Sequence, residues 1–70
     1  METLKINGAV RQFPSDKFPA TLTELLEQLN VDAATVVAEV DGQIVEREKF
    51  AQTRLSQGRT IELVRFVPGG

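Results

Sequence analysis

Residues 21 to 30 read TLTELLEQLN, the clearest helical period in the chain and the feature that most restricts its fold. Leu22, Leu25, Leu26 and Leu29 fall at i, i+3, i+4 and i+7, which gathers them into one apolar stripe. Thr21 is placed to cap the start, and Glu24, three residues on, is placed to reach back to it. No second helix of this quality exists for the stripe to pack against, so it must cover a sheet.

The segments on either side supply that sheet. TLKING alternates, with Leu4 and Ile6 on one side and Thr3 and Lys5 on the other, and it ends at Asn7-Gly8, a tight hairpin signal. AVRQF returns as the second strand. Two prolines and an aspartate make residues 14 to 20 a connecting loop, with Phe18 folded inward as a plug. After the helix, VDAAT leads into a β-branched run, VVAEV, that closes at Asp41-Gly42 and is followed by the short run Gln43 to Val45. The next stretch, EREKFAQTRLSQG, reads as a solvated loop with one helical turn, anchored by Phe50 and Leu55. Gly58 then turns the chain into the last strand, TIELVRFV.

Strand, strand, helix, strand, short strand, strand is an α+β arrangement: a mixed sheet of about four to five strands packed on one main helix. With 70 residues there is material for one domain, residues 1–70. A hydrophobic fraction of 41% beside 26% charged residues argues for a folded unit and against disorder.

The residue types that are missing narrow the function. The chain has no His, Cys, Tyr or Trp, which removes the usual general base, the thiol nucleophile, the common zinc ligands and the best base-stacking rings. A fold this small also leaves little room for the ~300 Å³ or larger cleft that catalytic carboxylate pairs occupy. No catalytic residues in the enzymatic sense and no metal site are therefore assigned. Net charge is −2 with no basic stripe, so a nucleic-acid partner is not expected. No run approaches the ~18 apolar residues of a spanning helix, and the start does not read as a secretion signal. Without cysteines the chain suits a reducing cytoplasm, and a free monomer is expected.

What remains is the end of the sequence, RFVPGG. In the last strand Ile61 and Leu63 share the core face, so alternation sends Glu62, Val64 and Phe66 to the other. Pro68 has no N–H to donate and holds Val67 extended, so pairing stops there and the backbone runs outward. Gly69 and Gly70 carry no side chains, and could carry the Gly70 carboxylate into a narrow channel of another protein. Such a carboxylate becomes reactive once ATP converts it to an acyl adenylate, whose AMP a sulfur nucleophile can displace. Val64, Phe66 and Val67 are the expected partner surface, and Pro68, Gly69 and Gly70 the inserted tail. A slack end or a linker remnant is the competing reading of the glycines.

The capped TLTELLEQL helix, AEVDGQIVEREKF and the closing GRTIELVRFVPGG resemble the ThiS group of ubiquitin-like sulfur carriers over essentially the whole chain. The terminal Gly-Gly is shared with ubiquitin and with MoaD, the molybdopterin synthase small subunit. IVEREKF separates them, being similar to the ThiS pattern Ile-Val-Pro-Arg followed by an aromatic residue. Glu46 stands where that pattern usually has proline, Phe50 where it has tryptophan, and Arg59 where aspartate commonly follows the glycine. The resemblance implies a β-grasp fold with the first and last strands parallel. It implies a carrier rather than an enzyme, with a ThiF-like adenylyltransferase using ATP and Mg to adenylate Gly70, and a persulfide donor converting it to a thiocarboxylate. The acceptor would be a ThiG-like thiazole synthase making the thiazole of thiamin. The alternatives are a carrier for molybdopterin or another thiolation pathway, and a non-covalent β-grasp interaction module or protein modifier.

Overall fold

A computed structural model describes residues 1–67; Pro68, Gly69 and Gly70, to which the inserted tail is assigned, lie outside the described residues. Its strands are β1 (Glu2–Ile6), β2 (Ala9–Phe13), β3 (Val36–Val40), β4 (Gln43–Val45) and β5 (Thr60–Arg65), with one α-helix, α1 (Leu22–Gln28). They form a single mixed sheet in the order β2-β1-β5-β3-β4. All neighbours are antiparallel except β1 and β5, which run parallel with Lys5 beside Thr60 and Ile6 beside Ile61. This is the β-grasp arrangement. Parallel neighbours cannot be joined by a tight turn, and here everything between β2 and β5 makes the crossover.

Both hairpins close through residues with positive φ: Asn7 at 50° with Gly8 at 83°, and Asp41 at 50° with Gly42 at 84°. Two consecutive residues of this kind define the turn whose twist matches that of the flanking strands, and asparagine, aspartate and glycine enter that region most readily.

The α1 stripe lies on one face of the sheet. Leu22, Leu25 and Leu26 are buried, and Leu29, at the C-terminal cap, packs half-buried against the same core. Leu4 and Ile6 of β1, Val36, Ala38 and Val40 of β3, and Ile61 of β5 complete the layer. Full burial of a leucine contributes about 1.5–3 kcal/mol, so the three buried leucines anchor the domain. Phe50 and Leu55 are buried as the anchors of the long loop, which carries a 3-10 helix over Arg47–Gln52. Phe18 folds in against Phe13, ring centroids 5.8 Å apart at an edge-to-face angle of 85°.

The helix caps show where local signals meet tertiary structure. Thr21 Oγ1 accepts the Glu24 N–H at 3.2 Å, but the Glu24 carboxylate accepts from the Ala20 N–H at 3.1 Å, one residue before the cap. The chain entering the helix is already strand-like: Thr21 bridges to Arg54, and the Ala20 carbonyl accepts the Leu55 N–H. At the other end Asn30 adopts φ 57°. Its N–H donates to the Glu27 carbonyl and the Val31 N–H to the Leu26 carbonyl, a Schellman closure with asparagine in glycine's usual place.

Candidate functional site

β5 lies at the centre of the sheet and leads directly into the C-terminal residues. Its inner side carries Ile61, wholly buried, and Leu63, packed against the core. Its outer side carries Glu62 and Val64, and the alternation continues to Phe66. The helix covers only the inner face, so these outward side chains stand in solvent: Val64 is 59% exposed and Phe66 45%, while Val67, past the end of the strand, is 81% exposed.

The last pairing partner of the chain fixes how far the strand runs. The Phe66 N–H donates to the Thr35 carbonyl at 2.9 Å, and Thr35 closes the 3-10 turn Ala33–Thr35 that precedes β3. Beyond Thr35 the partner chain turns away. Regular strand structure therefore ends at Arg65 and pairing at Phe66, short of the Thr60–Val67 strand expected from the sequence. Val67 is released before Pro68 is reached.

Register enlarges the apolar surface beyond the residues singled out by sequence. Val37 of β3 stands directly opposite Val64, and Ile44 of β4 opposite Glu39. Val37 is 41% and Ile44 70% exposed. A groove of about 380 Å³ has Val37, Ile44 and Phe66 in its wall, along with Glu46 and Arg47 of the segment after β4. Val37 and Ile44 each carry the signal of an outward position in a short strand, but only the strand order brings them beside Val64. Contiguous exposed apolar surface of this kind marks interaction sites. Glu39 and Glu62 border it.

Among the described residues no group of His, Cys, Asp or Glu side chains is placed to hold a metal ion, and no helix is long and apolar enough to cross a membrane. No buried side-chain polar atom among them lacks a partner. The surface offers shape and apolar contact.

The ThiS family model matches residues 4–70. The chain belongs to the ThiS family. These are small sulfur carrier proteins of thiamin biosynthesis. The crystal structure of a thiamine biosynthesis protein, ThiS, from Geobacter metallireducens is 33% identical with a TM-score of 0.81, over 97% of this chain and 99% of that one. A solution NMR structure of a thiamine biosynthesis protein from the same organism, 33% identical, gives a TM-score of 0.78 over 97% and 87% of the two chains. A thiazole synthase of Paramagnetospirillum magneticum is 36% identical over 67 residues. That stretch is 96% of this ThiS chain and 20% of the synthase, so the chain spans about a fifth of that relative's length.

Proposed function

We propose that this ThiS protein delivers sulfur to the thiazole ring of thiamin through a thiocarboxylate at Gly70. The observation that carries the reading is that the family match runs through Gly70 itself, in a chain whose exposed apolar surface borders the same end. The Gly70 carboxylate attacks the α-phosphorus of ATP on a ThiF-like adenylyltransferase, which supplies the magnesium and the catalytic side chains, and pyrophosphate leaves. The terminal sulfur of a donor persulfide then attacks the acyl carbon and AMP departs. A thiol attacks the donor-side sulfur of the acyl disulfide, forming a disulfide and releasing the thiocarboxylate. That sulfur passes to a ThiG-like thiazole synthase, and similarity to a thiazole synthase supports this choice of acceptor. The chain is a co-substrate in this cycle, working in the cytoplasm.

Val64, Phe66, Val67 and, from the register, Val37 and Ile44 form the docking surface that brings Pro68, Gly69 and Gly70 to the enzyme. The test is pyrophosphate release by the cognate activating enzyme with ATP, magnesium and this protein. Deletion of Gly70 abolishes release, and turnover by the shortened chain overturns the assignment. In protein isolated from its host, intact mass spectrometry is expected to find a population heavier by one sulfur in place of one oxygen, located on the C-terminal peptide.

A further inference from the structure

The opposite side of β5 carries a second feature that the carrier chemistry does not use. A groove of about 640 Å³ opens where β1, β5 and the end of α1 converge, with Ile6, Leu29 and Leu63 as its apolar walls and Arg11 and Arg65 at its rim. No carboxylate lines it. The ion pair formed among the described residues joins Arg59 to Asp41, well away from both rim arginines, and Arg11 and Arg65 are exposed.

The backbone beside this groove is an open sheet edge. β1 ends at Ile6, where its pairing with β5 stops at Ile61. Asn7 covers the next position: its N–H donates to the Ile61 carbonyl at 2.9 Å, and its side-chain Oδ1 accepts the Leu63 N–H at 2.7 Å. In a strand the N–H and C=O of one residue point to the same side, and residues two apart repeat that side. The Leu63 carbonyl and the Arg65 N–H and carbonyl therefore face the line of β1 beyond the point where β1 has turned back. An open row of donors and acceptors above an apolar groove is the geometry that accepts an added strand.

We propose that this edge of β5 binds an extended segment of a partner protein, in which acidic side chains flank apolar ones. The segment continues the line of β1, pairs its backbone with Leu63 and Arg65, and sets alternate side chains into the groove. Apolar ones lie on Leu29 and Leu63, and carboxylates meet Arg11 and Arg65. Charge selects this occupant, because the groove is cationic in a protein of net charge −2, so an acidic segment gains at this place and is repelled elsewhere. The groove lies on the face of β5 opposite Val64 and Phe66, so two partners can hold the chain at once. Binding at this edge is independent of the sulfur chemistry and is read on the free protein.

The probe is the blocked peptide Glu-Thr-Val-Thr-Leu-Thr-Glu, titrated into the isotope-labelled full chain and followed by amide NMR. Saturable shifts centred on Leu29, Leu63 and Arg65, with slowed hydrogen exchange at the Arg65 amide, are expected. A control with lysine for both glutamates does not bind. Arg11→Glu and Arg65→Glu each weaken binding several-fold, Arg11→Gln and Arg65→Gln weaken it less, and the outer-face variant Val64→Asp leaves it unchanged. Shifts centred on Val37, Ile44 and Val64, equal binding of the lysine peptide, or no saturable shift overturn the proposal.

Discussion

Glu39 of β3 and Glu62 of β5 stand directly opposite each other on the uncovered face of the sheet. Like charges at directly opposed positions destabilise an antiparallel pair, and an apolar residue here would only add to an exposed patch. Glu39→Lys turns the repulsion into attraction and is expected to stabilise the domain by about 0.2–1 kcal/mol. For a chain of this size that raises the thermal midpoint by up to roughly 4–8 °C. The same variant is expected to bind the proposed activating enzyme less well, because the pair borders the Val37, Ile44 and Val64 surface. Thermal unfolding and a binding isotherm on one preparation test both halves, and a variant that gains stability and keeps full affinity removes this pair from the interface.

Asn7 has two tasks, and substitution separates them. Asn7→Gly keeps the positive φ of the turn and loses only the acceptor for the Leu63 N–H, so it is expected to cost about 1 kcal/mol. Asn7→Ala loses the acceptor too and keeps a Cβ in the left-handed region without the short polar side chain that lets asparagine sit there, so it is expected to cost more than the glycine variant, by up to roughly 1–2 kcal/mol. Urea midpoints at constant m-value give the two numbers. Equal costs for glycine and alanine would show that the turn conformation is not under strain.

Asn7 and Asp41 also show how far the sequence could be read. Asn7-Gly8 and Asp41-Gly42 are legible as turns because turn chemistry is local, as are the leucine stripe and the Thr21 cap. That Asn7 also serves Leu63, and that Asp41 Oδ1 accepts the Thr60 N–H at 3.0 Å, is invisible to a local reading, because those bonds span 56 and 19 residues. The sheet order has the same character. β1 and β5 share two register positions, too few to leave a trace in hydrophobic pattern, and the parallel pairing was accessible only through family resemblance. The Asn30 closure of α1 had a local signal in asparagine after the last leucine. At the surface, alternation alone puts Val64 and Phe66 outward, whereas joining Val37 and Ile44 to them requires knowing which strands are neighbours.

Arg59 stands where the resemblance read from the sequence implies aspartate, and its environment accommodates arginine. Its Nη1 lies 2.9 Å from Asp41 Oδ2 and its Nε donates to Ser56 Oγ at 3.2 Å. Both partners of the ion pair are well exposed, at 41% and 50%, so the bridge itself contributes at most about 1 kcal/mol. Arg59→Ala is expected to lose a few tenths of a kcal/mol, and that loss shrinks in high salt. Asp41→Ala is expected to cost more, since it also removes the acceptor for Thr60 at the start of β5 and places alanine at positive φ. Chemical denaturation at low and high ionic strength checks the order, and a larger cost for the arginine variant contradicts it.

Phe66 tests whether the outer surface serves binding or packing. At 45% exposure its ring rests partly on the groove it shares with Val37 and Ile44, yet it lies past the end of β5 and outside the buried core. Phe66→Ala is therefore expected to cost less than about 1 kcal/mol of stability, against the 3–5 kcal/mol typical of a truncated core phenylalanine. An aromatic side chain free to be buried at the centre of an interface typically contributes 2 kcal/mol or more, which corresponds to about thirtyfold in affinity. The two measurements have opposite signatures. A thermal midpoint almost unchanged beside a complex weakened by an order of magnitude assigns Phe66 to the docking surface, whereas a midpoint lowered by more than about 10 °C places its ring with the core. Val64→Asp supplies the independent arm: Val64 pairs with Val37 at a well-exposed position, so a carboxylate there stays hydrated in the free protein and loses that water only when a partner covers it. Affinity should fall further with this variant than with Phe66→Ala.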